Sequence, residues 1–131
     1  RVQATIAQHG LQARVQLHGE VTPDALQACY DRADVFVLPS LHEGYGMALA
    51  EALARGLPVL SSRAGAIIDT VPAAAGLLLP PGDGPALRHA LARVLDEPAL
   101  RAALAAGARA ARTQWPTWAE AARQFADVLQ A

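Results

Sequence analysis

The period of the apolar positions changes repeatedly along this chain. In "RVQATIAQHG", Val2, Ile6 and Ala7 recur at helical intervals, and Gly10 supplies a C-terminal stop. "ARVQLHG" then alternates Val15 and Leu17 with polar neighbours, which predicts a short strand at about 14–19. "TPDALQACYDRA" predicts a helix with Thr22 as N-cap, Pro23 at its first position, and Ala25, Leu26, Cys29 and Tyr30 on one face. "DVFVLPS" is a nearly continuous apolar run ended by Pro39, the pattern of a strand at 34–39 covered on both faces. "HEGYGMALAEALARG" is the next helix, closed by Gly56. "PVLSS" at 58–61 and "GLLLPPGD" at 76–80 are further short buried strands.

After Gly84 the pattern is helical over 85–95, 98–112 and 117–131, with Pro98 and Pro116 at two of the boundaries. Their apolar stripes are Leu87, Leu91, Val94 and Leu95, then Leu100 and Leu104, then Phe125, Val128 and Leu129; the period faces all three toward a core. Helices alternating with short buried strands predict an α/β fold with a mostly parallel sheet. With 131 residues the chain forms one domain, 1–131, large enough for a real core.

Composition narrows the function. Hydrophobic residues make up 53% of the chain, which excludes disorder. The formal net charge is −1 and there is no basic run, so the footprint of a nucleic-acid partner is missing. A lone Cys29 rules out an internal disulfide, and no spaced Cys/His set of zinc type occurs, so no metal is expected. These features, with no signal peptide and no apolar run near ~20 residues, predict a cytoplasmic setting. The chain opens at Arg1 inside a helical pattern, as expected of a fragment.

Parallel sheets bind ligands where strands lead into helices at their carboxyl ends. Two loops qualify: "GEVTP" from Gly19 and "LHEGYGM" after Ser40. In the second, Gly44 and Gly46 permit close backbone approach, and the helix that follows offers free N–H groups, Met47 and Ala48 among them, to an anion such as a diphosphate. Glu43 stands at the mouth of that helix. Glu51 lies about 7 Å farther along, its side chain leaning back toward the N-terminus. Carboxylates accept hydrogen bonds from hydroxyls, so the layout suits a ligand with a hydroxyl-rich group on each side of a diphosphate. A plainer reading is also open: Glu51 and Arg55, at i and i+4, form an exposed ion pair, and Glu43 is an acid favoured at a helix N-terminus.

"ADVFVLPSLHEGYGMALAEALARGLPVLSS" closely resembles the donor-binding domain of the GT-B retaining glycosyltransferases of family 4 (group 1). The resemblance extends to "GEV", "GLLLPPGD", "LRHAL" and Trp118 after Pro116, and runs from about residue 11 to 130. It implies a Rossmann-like three-layer domain, the C-terminal half of GT-B, incomplete at its N-terminus. By the same resemblance Glu43 orients the donor sugar through its hydroxyls and Glu51 takes the ribose hydroxyls. The backbone of Gly44, Tyr45, Gly46, Met47 and Ala48 meets the sugar and distal phosphate, and Gly19 with Val21 lines the nucleobase pocket. The implied reaction moves a hexose from a nucleotide-diphosphate sugar, with no cofactor or catalytic metal, to an acceptor sugar or lipid held by an N-terminal domain. The full-length parent is expected in the cytoplasm or peripheral to the membrane.

Departures from the family pattern carry their own expectations. The family's Gly-Arg…Lys-Gly segment, whose cations neutralise the diphosphate, is absent, so weak donor binding and no transferase activity are expected of this chain alone. The truncated sheet should leave an apolar edge open to self-association. "AGAIIDTV" replaces the family's Gly-Gly-x-x-Glu segment, with Ala64 and Asp69 as the differences. Alternatives are a nucleotide-sugar 2-epimerase-like GT-B enzyme and a non-catalytic α/β assembly domain. His9, His18, His42 and His89 are read as surface residues, Cys29 as core, Arg63 as solvent-facing, and Trp115 and Trp118 as anchors of the last helix.

Overall fold

The computed structural model describes residues 1–130. The elements are α1 (Val2–Gln8), α2 (Pro23–Arg32), β1 (Phe36–Leu38), α3 (Met47–Ala54), β2 (Val59–Ser62), α4 (Ile67–Thr70), β3 (Gly76–Leu79), α5 (Gly84–Asp96), α6 (Pro98–Arg112) and α7 (Trp118–Gln130). The strands form one parallel sheet in the order β1-β2-β3, with Val59 opposite both Phe36 and Gly76.

β2 is central and every residue of it is buried, as its apolar run predicts. On one face of the sheet Phe36, Val59 and Leu78 pack with Tyr30 of α2, Leu49 and Leu53 of α3, and Ile67 of α4. On the other, Leu60, Leu77 and Leu79 pack with Leu87, Leu91 and Val94 of α5 and Leu100 and Leu104 of α6. α6 reaches both layers, because Ala108 farther along it joins the first cluster. The helix starts follow their capping chemistry. Thr22 Oγ1 accepts from Ala25 N at 3.3 Å, and an Asp83 carboxylate oxygen accepts from Ala86 N at 2.9 Å.

Three expectations are corrected. Residues 14–19 form no strand: the chain turns at 12–14 and then runs on unpaired, with Leu17 51% exposed. Alternation creates a face, but a strand also needs a ladder partner, and among the described residues none lies beside it; β1 pairs with β2 alone. Leu95 is exposed, although the rest of its stripe is covered. On α7 no residue is buried, and Phe125, Val128 and Leu129 all face outward. Periodicity makes a helix amphipathic without supplying the surface that covers it.

The start of α7 is nonetheless well defined by a reciprocal cap. Thr117 N donates to Glu120 Oε2 at 2.7 Å, and Glu120 N donates back to Thr117 Oγ1 at 3.3 Å. The hydrogen bond from the Thr117 backbone, with help from the Thr117 side chain, holds the Glu120 carboxyl below its ordinary 4.5. A depressed folded value means that the cap's contribution is present above pH 4.5 and lost as pH falls through the folded value. Carbon secondary shifts of α7 should therefore decay toward coil values at acid pH, and Glu120→Gln should remove that pH dependence.

Candidate functional site

The loop between β1 and α3 is fastened to the next strand–helix unit by four side-chain or backbone donors. Ser61 Oγ donates to Leu38 O at 2.6 Å and Ser62 Oγ donates to Ser40 O. Ala66 N donates to Glu43 O at 3.1 Å, and Thr70 Oγ1 donates to Tyr45 O at 3.0 Å. Ser61 and Ser62 are the buried polar residues of the core, and these bonds satisfy their hydroxyls.

Gly65 makes this close fit possible. It has φ +56°, and a Cβ there would lie 2.1 Å from Glu43 O. Gly46, the N-cap of α3, has φ 85° and is buried. Gly44, by contrast, needs neither a positive φ nor close approach. Sequence reasoning missed Ser61, Ser62, Gly65, Ala66 and Thr70, because their partners lie about 20 or more residues away along the chain.

The consequence is a helix N-terminus whose donors are free. α3 has no side-chain cap, so the N–H groups of Met47, Ala48 and Leu49 have no intrahelical acceptor. Glu43 is half-buried beside them, and Ser40 Oγ donates to its Oε2 at 3.5 Å. Glu51 is the fifth residue of α3, about 6 Å along the axis from Met47. Tyr45 and Met47 are exposed, while Ala48 is half-buried. An anion at this end would meet free amides and the positive end of the helix dipole, with the Glu43 side chain beside it.

Arg55 does not form the ion pair with Glu51 that their spacing suggests; the one salt bridge among the described residues is Arg93–Glu97. Its guanidinium lies over the Tyr30 ring at 4.5 Å, donates from Nη1 to the Glu51 backbone carbonyl at 3.3 Å, and reaches Gln27 Oε1 through Nη2. Tyr30 is 7% exposed and stacks on Phe36 with ring centroids 5.8 Å apart. Burial raises the Tyr30 hydroxyl above its ordinary value. The charge and hydrogen-bonding of Glu51 add to this, and Arg55 opposes it. The Glu51 carboxylate thus faces a phenol and is not neutralised by the arginine one turn on.

Other expected residues fall outside this constellation. Gly19 is exposed and Val21 half-buried, and among the described residues no hydrogen bond joins 19–21 to 43–51. His42 is exposed beside Glu43. Arg63 is exposed, as expected, and its Nε donates to Leu78 O at 3.2 Å. Trp115 packs on the first core cluster, but Trp118 is 93% exposed and so does not anchor its helix. Among the described residues, no group of three His, Cys, Asp or Glu side chains is placed to hold a metal ion, and no helix is long and apolar enough to cross a membrane.

Comparison with known proteins places these features in a family. The family model for glycosyl transferases group 1 matches residues 1–111. The chain is 37% identical over 131 residues to a D-inositol 3-phosphate glycosyltransferase of Xylanimonas cellulosilytica, covering 97% of this chain and 30% of that protein. Among solved structures, it matches sucrose-phosphate synthase of Thermosynechococcus elongatus with a TM-score of 0.87 at 33% identity, over 99% of this chain and 33% of the other. It also matches HepE of Anabaena, determined in complex with UDP, with a TM-score of 0.88 at 25% identity, over 98% of this chain and 35% of the other. The chain thus spans about a third of the length of these proteins.

The two glycines of the loop give opposite predictions. Gly65→Ala should destabilise the domain by about 2–3 kcal/mol, because both φ and the contact with Glu43 O oppose a side chain. Gly44→Ala, with nothing within 4 Å of the added Cβ, should cost under about 0.5 kcal/mol. Urea midpoints at constant slope measure both.

Proposed function

This chain belongs to the group 1 glycosyl transferases, and we propose that residues 1–131 form the donor-binding half of a retaining enzyme that moves a hexose from a nucleotide-diphosphate sugar to an acceptor. The observation that carries this reading is the open α3 N-terminus with Glu43 held at its mouth and the Glu51 carboxylate in no ion pair with Arg55. Relatives named for glycosyl and mannosyl transfer, and a neighbour solved with UDP, support it.

In this reading the diphosphate sits on the amides of Met47 and Ala48, where the helix dipole and unpaired donors favour negative charge. Glu43 accepts from hydroxyls of the donor sugar and keeps the sugar oriented; it is a binding and positioning group, not the nucleophile. Its backbone is fixed from Gly65 and Ala66, so the carboxylate is pre-organised before ligand arrives. Glu51 accepts from the ribose hydroxyls. Tyr30 and Arg55 hold its turn of the helix in place. Gly44, Tyr45 and Gly46 line the sugar, and Gly19 and Val21 line the base. No step assigned to these residues calls on a metal or cofactor.

The acceptor, a sugar or a lipid, is bound by an N-terminal domain, and the whole enzyme works in the cytoplasm or at the membrane surface. This chain alone is inactive as a transferase, because it carries the donor side only.

Ligand-observed saturation-transfer NMR with UDP-glucose, GDP-mannose and ADP-glucose tests the assignment. One of the three should show its strongest transfer at the ribose protons, and Glu51→Gln should weaken it at least ~10-fold, the loss expected for one charge-assisted hydrogen bond. An affinity unchanged in Glu51→Gln would contradict the role given to Glu51.

A further inference from the structure

Beside the loop that carries Glu43 lies a cleft of about 680 Å³. Tyr45, Asp69, Thr70, Trp115 and Trp118 contribute its distinctive groups. We propose that this cleft is a second carbohydrate subsite, taking the ring of a neutral pyranoside next to the donor site. The proposal rests on the donor-binding reading for its place in the reaction, but not for its chemistry.

The volume falls within the range of about 300–1,000 Å³ typical of small-ligand pockets. The walls combine aromatic rings with polar groups that accept hydrogen bonds. Trp118 is 93% exposed and Tyr45 67% exposed, so most of each residue is open to solvent. Aromatic rings pack against the C–H face of a pyranose as they pack against other apolar surface. Asp69 is exposed and outside the one ion pair among the described residues, leaving its carboxylate free to accept. The one proton of Thr70 Oγ1 is shared between Tyr45 O and Ala66 O, each at 3.0 Å, so toward the cleft the hydroxyl can only accept.

Acceptors backed by a carboxylate select hydroxyl donors and repel anions. No arginine or histidine is among the residues lining the cleft, so a phosphate finds no counter-charge there. The site is therefore chemically unlike the α3 N-terminus, although Tyr45 and Thr70 belong to both walls. Trp118 is the first residue of α7, and the reciprocal cap of Thr117 and Glu120 fixes the backbone that carries it.

The test is a nitrogen-15 NMR titration of this chain with methyl α-D-glucopyranoside and methyl α-D-mannopyranoside, and separately with UDP. At least one glycoside should shift the Trp118 indole N–H and the amides of Tyr45 and Thr70. Trp118→Ala should weaken that binding at least ~10-fold and Asp69→Asn at least ~3-fold, with UDP-induced shifts at Met47 and Ala48 unchanged in both. Trp118 is so exposed that its loss leaves the fold intact.

If both glycosides leave Trp118 unmoved while UDP shifts Met47 and Ala48, the subsite is refuted and the donor reading stands. If a glycoside shifts Trp118 but UDP moves nothing, the subsite stands and the donor reading fails. Trp118 shifts that follow protein concentration alone would make this face a contact between copies, which also refutes the proposal.

Discussion

The contact between Gly65 and the carbonyl of Glu43 fixes the geometry at the carboxyl end of this domain's sheet. A side chain at residue 65 would collide with that carbonyl at 2.1 Å, so the loop after β1 lies directly against the start of α4. From this one approach follow the hydrogen bonds of Ala66 and Thr70 to the loop. Behind them, Ser61 and Ser62 tie the end of β1 to the buried central strand. A loop held this firmly presents α3 with its first amides uncapped and Glu43 in a set place. The rigidity belongs to the sheet, and the proposed chemistry is hung from it.

Much of the fold was legible in the sequence because its cues are local. Continuous apolar runs read as strands, and "DVFVLPS", "PVLSS" and "GLLLPPGD" give β1, β2 and β3, but only β2 is covered on both faces throughout: β1 is an edge strand with Val37 exposed. The cap written as Thr22-Pro23 marks a helix start correctly. The failures share one cause, dependence on a distant partner. Val15 and Leu17 alternate like a strand, yet no neighbouring strand lies beside them among the described residues. Phe125, Val128 and Leu129 have the right period and nothing covering them. Helix α4, with 4 residues, is too short to leave a periodic signal.

The site shows the same division. Its two carboxylates and its glycines could be picked out from "HEGYGMALAEALARG", where motif and helix register coincide. What Arg55 does could not. Spacing pairs it with Glu51, but Tyr30, 25 residues earlier, offers a ring face at 4.5 Å, and the guanidinium takes that position. Desolvated stacking of a cation on an aromatic ring contributes as much as an exposed helix ion pair or more, about 0.5–2 kcal/mol against a few tenths. That the Glu51 carboxylate meets the Tyr30 hydroxyl and not the Arg55 guanidinium is thus a tertiary result, set by contacts that spacing along one helix does not show.

The central claim is that the fastened loop turns the N-terminus of α3 into an anion site with the Glu43 side chain beside it. Following every backbone amide by nitrogen-15 NMR while UDP is added tests it most directly. The account predicts that the largest shifts fall on Gly46, Met47 and Ala48, with smaller ones at Gly65 and Ala66, which hold the loop from behind. Shifts concentrated instead along β3 and α5, or a saturable response that spares Gly46 to Ala48, would contradict it.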